Sequence, residues 1–160
     1  MSAWVLVKCN CPNRHPLGDS PYGDYACGHR DGGIISTSPY HLIEYGRDLV
    51  RIYKHQPEMF AVWRKICEWR SQSQRYGDLH LSPDEVLMWQ LEIEQLQHFL
   101  SGEEFMGWDE SELWKRLREE ERLSYERANG RPPEVAEVLA EGIAICRASQ
   151  ETGNPVEFWS

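Results

Sequence analysis

The chain has 160 residues, 41% hydrophobic and 27% charged, a composition that suits one soluble globular domain over residues 1–160 and leaves no room for a large two-domain enzyme. Its formal charge of −9 argues against nucleic acid or an anionic membrane as partner, because both require a surplus of Lys and Arg. No stretch reaches the ~18 consecutive apolar residues of a membrane span, and the opening MSAWVLVKCNC lacks a basic leader region, so the expected setting is cytoplasmic.

Trp4-Val5-Leu6-Val7 is short, apolar and partly β-branched, which predicts a strand running into Cys9 and Cys11. Residues 12–24, with three prolines and two glycines, read as a loop. Tyr25 to His29 and Ile34 to Thr37 then read as two strands of a hairpin joined by Arg30-Asp31-Gly32-Gly33. With the first strand they form a small three-stranded unit over residues 1–37, too small to stand without packing or a staple.

Everything after Ser38 reads as helix. Ser38-Pro39 offers a cap and a first-position proline, followed by Leu42, Tyr45, Leu49, Ile52 and Tyr53 at helical spacing. His55-Gln56-Pro57 ends that helix, and Met59, Phe60, Val62, Trp63, Ile66, Cys67 and Trp69 form the broad apolar stripe of a second. Ser82-Pro83-Asp84-Glu85 is a capping-box start for a third, expected to run to about Leu100 before Gly102. Asp109 and Glu112 open a charged fourth helix that ends near Asn129-Gly130, and Pro132-Pro133 opens a fifth, rich in alanine and aliphatic residues. The expected fold is therefore mainly α: a zinc-stapled β unit followed by a bundle of about five helices over residues 38–160. The tail closes on Phe158-Trp159, which suggests docking back onto the body or anchoring in an assembly.

Five cysteines without a leader fit reducing conditions better than a disulfide frame. Cys9-x-Cys11 and Cys27-x-His29, fifteen residues apart, supply three thiolates and an imidazole, a ligand set suited to structural zinc. A bound ion would tie the first strand to the hairpin in a region poor in apolar residues. His15 is the alternative fourth ligand. The one-residue spacing differs from the usual C-x₂₋₄-C and requires a bent backbone, which Pro12 and Gly28 can provide. C-x-C is not a redox C-x-x-C, and no orienting carboxylate accompanies Cys27 and His29 as a nucleophilic pair. No glycine-rich phosphate loop is present in the sequence.

Charge is distributed unevenly. Residues 1–76 hold 10 Lys/Arg against 7 Asp/Glu, a net +3, whereas residues 77–160 hold 7 against 19, a net −12. Within the acidic half, Glu103, Glu104, Phe105, Met106, Trp108, Asp109 and Glu110 combine aromatic anchors with a charged rim, the anatomy of a recognition surface. The sequence accordingly suggests a non-enzymatic, acidic module that docks a basic protein, for instance an inhibitor or immunity protein against a nuclease. A zinc-dependent hydrolase or transferase, and a small subunit of a larger assembly, are the alternatives.

Overall fold

A computed structural model describes residues 4–20, 22–35, 39–101 and 135–159. Chain order is β1 (Trp4–Lys8), β2 (Gly33–Ile35), α1 (Pro39–Ile52), α2 (Ala61–Tyr76), β3 (Leu79–Leu81), α3 (Pro83–Ser101), α4 (Val135–Thr152) and β4 (Val156–Trp159). The strands form an antiparallel sheet in the order β2-β1-β4-β3. The architecture is thus mixed rather than mainly α, with four helices rather than five among the described residues. The expected fourth helix, around residues 109–129, lies outside them.

Sheet pairing corrects the expected hairpin. β2 pairs with β1, Lys8 opposite Gly33 and Leu6 opposite Ile35, so residues 9–32 are one long connection between paired strands. Tyr25 to His29 form no strand there. The chain turns, with Tyr25 N–H donating to His29 O (3.2 Å) and Gly28 N–H to Tyr25 O (2.9 Å). Gly28 takes a φ of 89°, a conformation that side-chain-bearing residues rarely adopt and that a regular strand cannot contain.

The tail supplies a central strand. β4 runs between β1 and β3, with Val5 opposite Phe158 opposite Leu79, and Val7 opposite Val156 opposite Leu81. Alternation along the strands turns those residues toward the helices, and Phe158 is fully buried. Phe158 is therefore not an exposed assembly anchor, because its ring already packs against Trp69 (centroids 5.8 Å) and Trp89 (5.7 Å). Trp89 in turn meets Trp63 edge-on at 6.2 Å, and the aromatic run continues through Phe60 to Tyr53. Such pairs add about 0.5–1.5 kcal/mol each beyond their buried area.

Helix ends follow the expected chemistry at α3. Glu85 N–H donates to Ser82 Oγ and Ser82 N–H to Glu85 Oε1, both at 3.3 Å, closing the capping box. Lys65, 2.6 Å from Glu85, draws that carboxyl below its usual range, helped by the bonds to Ser82. The start of α2 is capped from another helix: Glu92 of α3 accepts from Val62 N–H (3.0 Å) and Trp63 N–H (2.9 Å). α4 ends at Gly153, whose φ of 74° turns the chain toward β4 while its N–H closes on Ser149 O at 2.9 Å.

On the opposite sheet face, Leu6 pairs with Glu157 and Glu157 with His80. Glu157 is buried, ion-paired with Lys8 (3.6 Å), and its Oε1 lies 3.4 Å from His80 Nε2. Loop 9–32 returns across this face, setting Tyr22 edge-on to Trp159 at 6.2 Å.

Candidate metal centre

β1 stops at Lys8, and the next residue is the first donor. Cys9 is held at the sheet edge by its own N–H, which donates to Gly32 O at 3.1 Å. Beyond it the chain turns, Arg14 N–H closing on Cys11 O at 3.2 Å, so Cys9 and Cys11 leave the extended geometry that would hold them apart. Asn10, between them, points elsewhere: its Nδ2 donates to Thr152 O at 2.8 Å, and its Oδ1 accepts from Asn154 Nδ2 at 2.8 Å. Asn154 Nδ2 also donates to Lys8 O at 2.7 Å. The metal loop is thereby clamped to the turn that joins α4 to β4.

The second pair sits on the Tyr25–His29 turn. Ala26 N–H donates to His15 O at 2.9 Å, and Arg14 Nε donates to Gly32 O at 3.0 Å while its guanidinium lies over the Tyr25 ring at 5.4 Å. These bonds press the turn against the strand end. Cys9 Sγ lies 3.8 Å from Cys27 Sγ, and His29 Nδ1 lies 3.5 Å from both Cys11 Sγ and Cys27 Sγ.

All four donor atoms lie within 4.8 Å of one another, and Cys9 is buried while the other three are half-buried. Bond lengths of about 2.3 Å to sulfur and about 2.0 Å to nitrogen give tetrahedral edges of about 3.8 Å between sulfurs and about 3.5 Å between sulfur and nitrogen. The three separations above match those edges. Cys9, Cys11, Cys27 and His29 can therefore hold a metal ion. His15, the alternative ligand, is exposed and stands outside the gathered set, since its role in the loop is as a backbone acceptor for Ala26.

Compared with protein-family models, curated proteins and solved structures, the chain matches none.

Proton equilibria in the cluster are coupled. Burial opposes ionisation of Cys9, but hydrogen bonds from Cys11 and Cys27, with the nearby Arg14 charge, bring its pKa below the ordinary thiol value. Cys11 is pushed up to about 11, first by its hydrogen bond to Cys9, then by desolvation and by the charge on its neighbours. A second thiolate beside the first is unfavourable, and a divalent cation placed between them reverses that sign. Cys67 and Cys146 behave differently: burial pushes both up to about 12, leaving them as inert packing residues.

Among the described residues no carboxylate belongs to the gathered donors. The acidic recognition segment, Glu103, Glu104, Phe105, Met106, Trp108, Asp109 and Glu110, lies outside the described residues. The sequence reading missed the Asn10 and Asn154 clamp, because its partners are more than 140 positions apart. It also missed the aromatic cluster of Trp4, Tyr22 and Trp159, contributed by both chain ends and the metal loop.

Proposed function

We propose that Cys9, Cys11, Cys27 and His29 bind one structural zinc ion, and that the protein is a non-catalytic module whose acidic half meets a basic macromolecular partner. The observation that carries the zinc reading is the agreement of three donor separations with the edges of a zinc tetrahedron, all four donor atoms lying within 4.8 Å of one another. Three sulfurs and one imidazole favour zinc over the hard cations, which take oxygen donors. Four protein ligands also close the coordination sphere, whereas a catalytic zinc keeps a position for water, and this weighs against a zinc-dependent hydrolase or transferase. The loop needs such a staple: Leu17 and Tyr22 are 67% and 68% exposed, so burial of apolar area does little to hold it.

The partner reading rests on charge. Residues 77–160 carry 19 acids against 7 bases, and Asp78, Asp84, Glu137 and Glu151 are exposed. A one-sided field accelerates encounter with an oppositely charged macromolecule.

Elemental analysis of protein purified without added metal tests the first part. About one zinc per chain is expected, and His29→Ala should remove it together with the amide protection of loop 9–32. Metal-free protein with an ordered loop would overturn the reading. Immobilised polylysine tests the second part. Converting Glu103, Glu104, Asp109 and Glu110 to Gln and Asn should weaken retention at about 50 mM salt more than the same change at Asp78, Asp84, Glu137 and Glu151. Equal loss from both sets would mean that net charge alone is at work.

A further inference from the structure

The sheet face turned away from the helices ends in a pocket of about 380 Å³. Its walls come from four separate parts of the chain. Trp4 and Trp159 are cross-strand partners on β1 and β4, and Asp78 immediately precedes β3, whose Leu79 pairs with Phe158. Tyr22, Arg30 and Asp31 arrive from the metal loop. Trp4 is 38% and Tyr22 68% exposed, so two large rings face solvent at a concave site. Asp31 is buried, with its carboxylate accepting from Gly23 N–H, which fixes this wall.

Three features narrow the ligand. Tyr22 and Trp159 stand at 86° to each other. Perpendicular walls make a corner, which suits a rounded group, whereas a flat ring fits best between parallel faces. Electron-rich ring faces with Asp31 and Asp78 at the edge attract a cation of low hydration, and aromatic cages for quaternary ammonium groups combine these elements. Arg30 adds the opposite requirement. Its guanidinium makes no ion pair among the described residues, and its planar fork suits a carboxylate or phosphate. One positive and one negative recognition element share a volume that is small by ligand-site standards.

We propose that this pocket binds a zwitterionic quaternary ammonium compound, with the ammonium group boxed by Trp4, Tyr22 and Trp159 and the anionic arm on Arg30. The reading is independent of the basic partner. It uses the metal loop only as a wall, so the test is made on the metal-loaded protein.

The probes are glycine betaine, phosphocholine and tetramethylammonium, titrated while the indole N–H resonances of Trp4 and Trp159 are followed by NMR. Both zwitterions should bind with dissociation constants at or below about 1 mM, and tetramethylammonium about tenfold more weakly. Tyr22→Ala, which gives up one ring contact at an exposed position and should lower the melting temperature by only a few degrees, should weaken all three by about tenfold. Arg30→Gln should weaken the zwitterions to the level of tetramethylammonium without weakening tetramethylammonium itself, whose like-charge repulsion with the guanidinium is removed. Vesicles of phosphatidylcholine distinguish the source: binding to them as well marks a lipid headgroup, and binding of the free compounds alone marks a small solute. Absence of any shift at about 20 mM ligand would overturn the proposal. Equal binding by tetramethylammonium and the zwitterions would remove the role of Arg30, and unchanged binding by both variants would place the site elsewhere.

Discussion

On one side of the sheet, Trp63, Trp89 and Phe158 are fully buried and linked ring to ring, and α1 to α4 close over them. On the other side, loop 9–32 buries little beyond Cys9, Tyr25 and Asp31, yet it is threaded by hydrogen bonds and gathers four metal donors. The first region is held by area removed from water, which acts without direction and tolerates small shifts. The second is held by directed hydrogen bonds, each of which requires its own donor and acceptor in place. They meet along β1 and β4, so each should fail under a different challenge.

The largest effect is expected in the aromatic core. Phe158→Ala should cost about 3–5 kcal/mol in denaturant unfolding, because it removes the ring between Trp69 and Trp89 from the central strand. Metal content of the folded fraction should be unchanged. A cost below about 1 kcal/mol would mean that the tail is dispensable to the core, and the contrast between the two regions would collapse.

A smaller effect should follow from Glu92. Glu92→Ala leaves the buried Trp63 N–H and the part-buried Val62 N–H at the start of α2 without their acceptor, at about 1–3 kcal/mol. Burial raises its pKa above the ordinary carboxylate value, against the bonds from Trp63 and Val62 N–H. A carboxyl whose folded pKa is raised binds its proton more readily in the fold than in the unfolded chain. Its contribution therefore becomes more favourable as pH falls through the folded value toward the unfolded one, and is lost as pH rises through the folded value. Glu92→Gln should flatten that part of the stability profile, as measured by thermal melts across the acid range. An unchanged slope would show that the carboxylate is not the titrating group.

These two sites also show where sequence reading succeeds and fails. The capping box at Ser82 and Glu85, and the apolar positions of α3, are local, so the start of that helix was legible from neighbouring residues. The donor set was legible too, because ligand type is a property of the residues and spacing limits only how the backbone must bend. Pairing was not legible. Whether Gly33–Ile35 joins the Tyr25–His29 segment or β1, and whether Phe158 enters the sheet or leaves it, is decided by partners up to about 150 positions away, for which neither composition nor periodicity is a signal. Glu92 illustrates the same limit, as a residue on α3 that caps α2.

The finest probe concerns the junction of the two regions. Asn154 donates to Lys8 O and to Asn10 Oδ1, and Asn10 donates to Thr152 O, so the residue between two metal donors is fastened to the turn before β4. These bonds are solvent-accessible, and losing them through Asn154→Ala should cost about 1 kcal/mol in the metal-loaded protein. Without metal, Asn10 is no longer positioned by its flanking cysteines, and the same substitution should cost only a few tenths of a kcal/mol. The difference between the two costs is a coupling energy, obtained from denaturant unfolding of both proteins with and without a chelator. Equal costs in the two conditions would show that the clamp forms without the ion, and that the metal loop and the helical layer are neighbours rather than coupled parts.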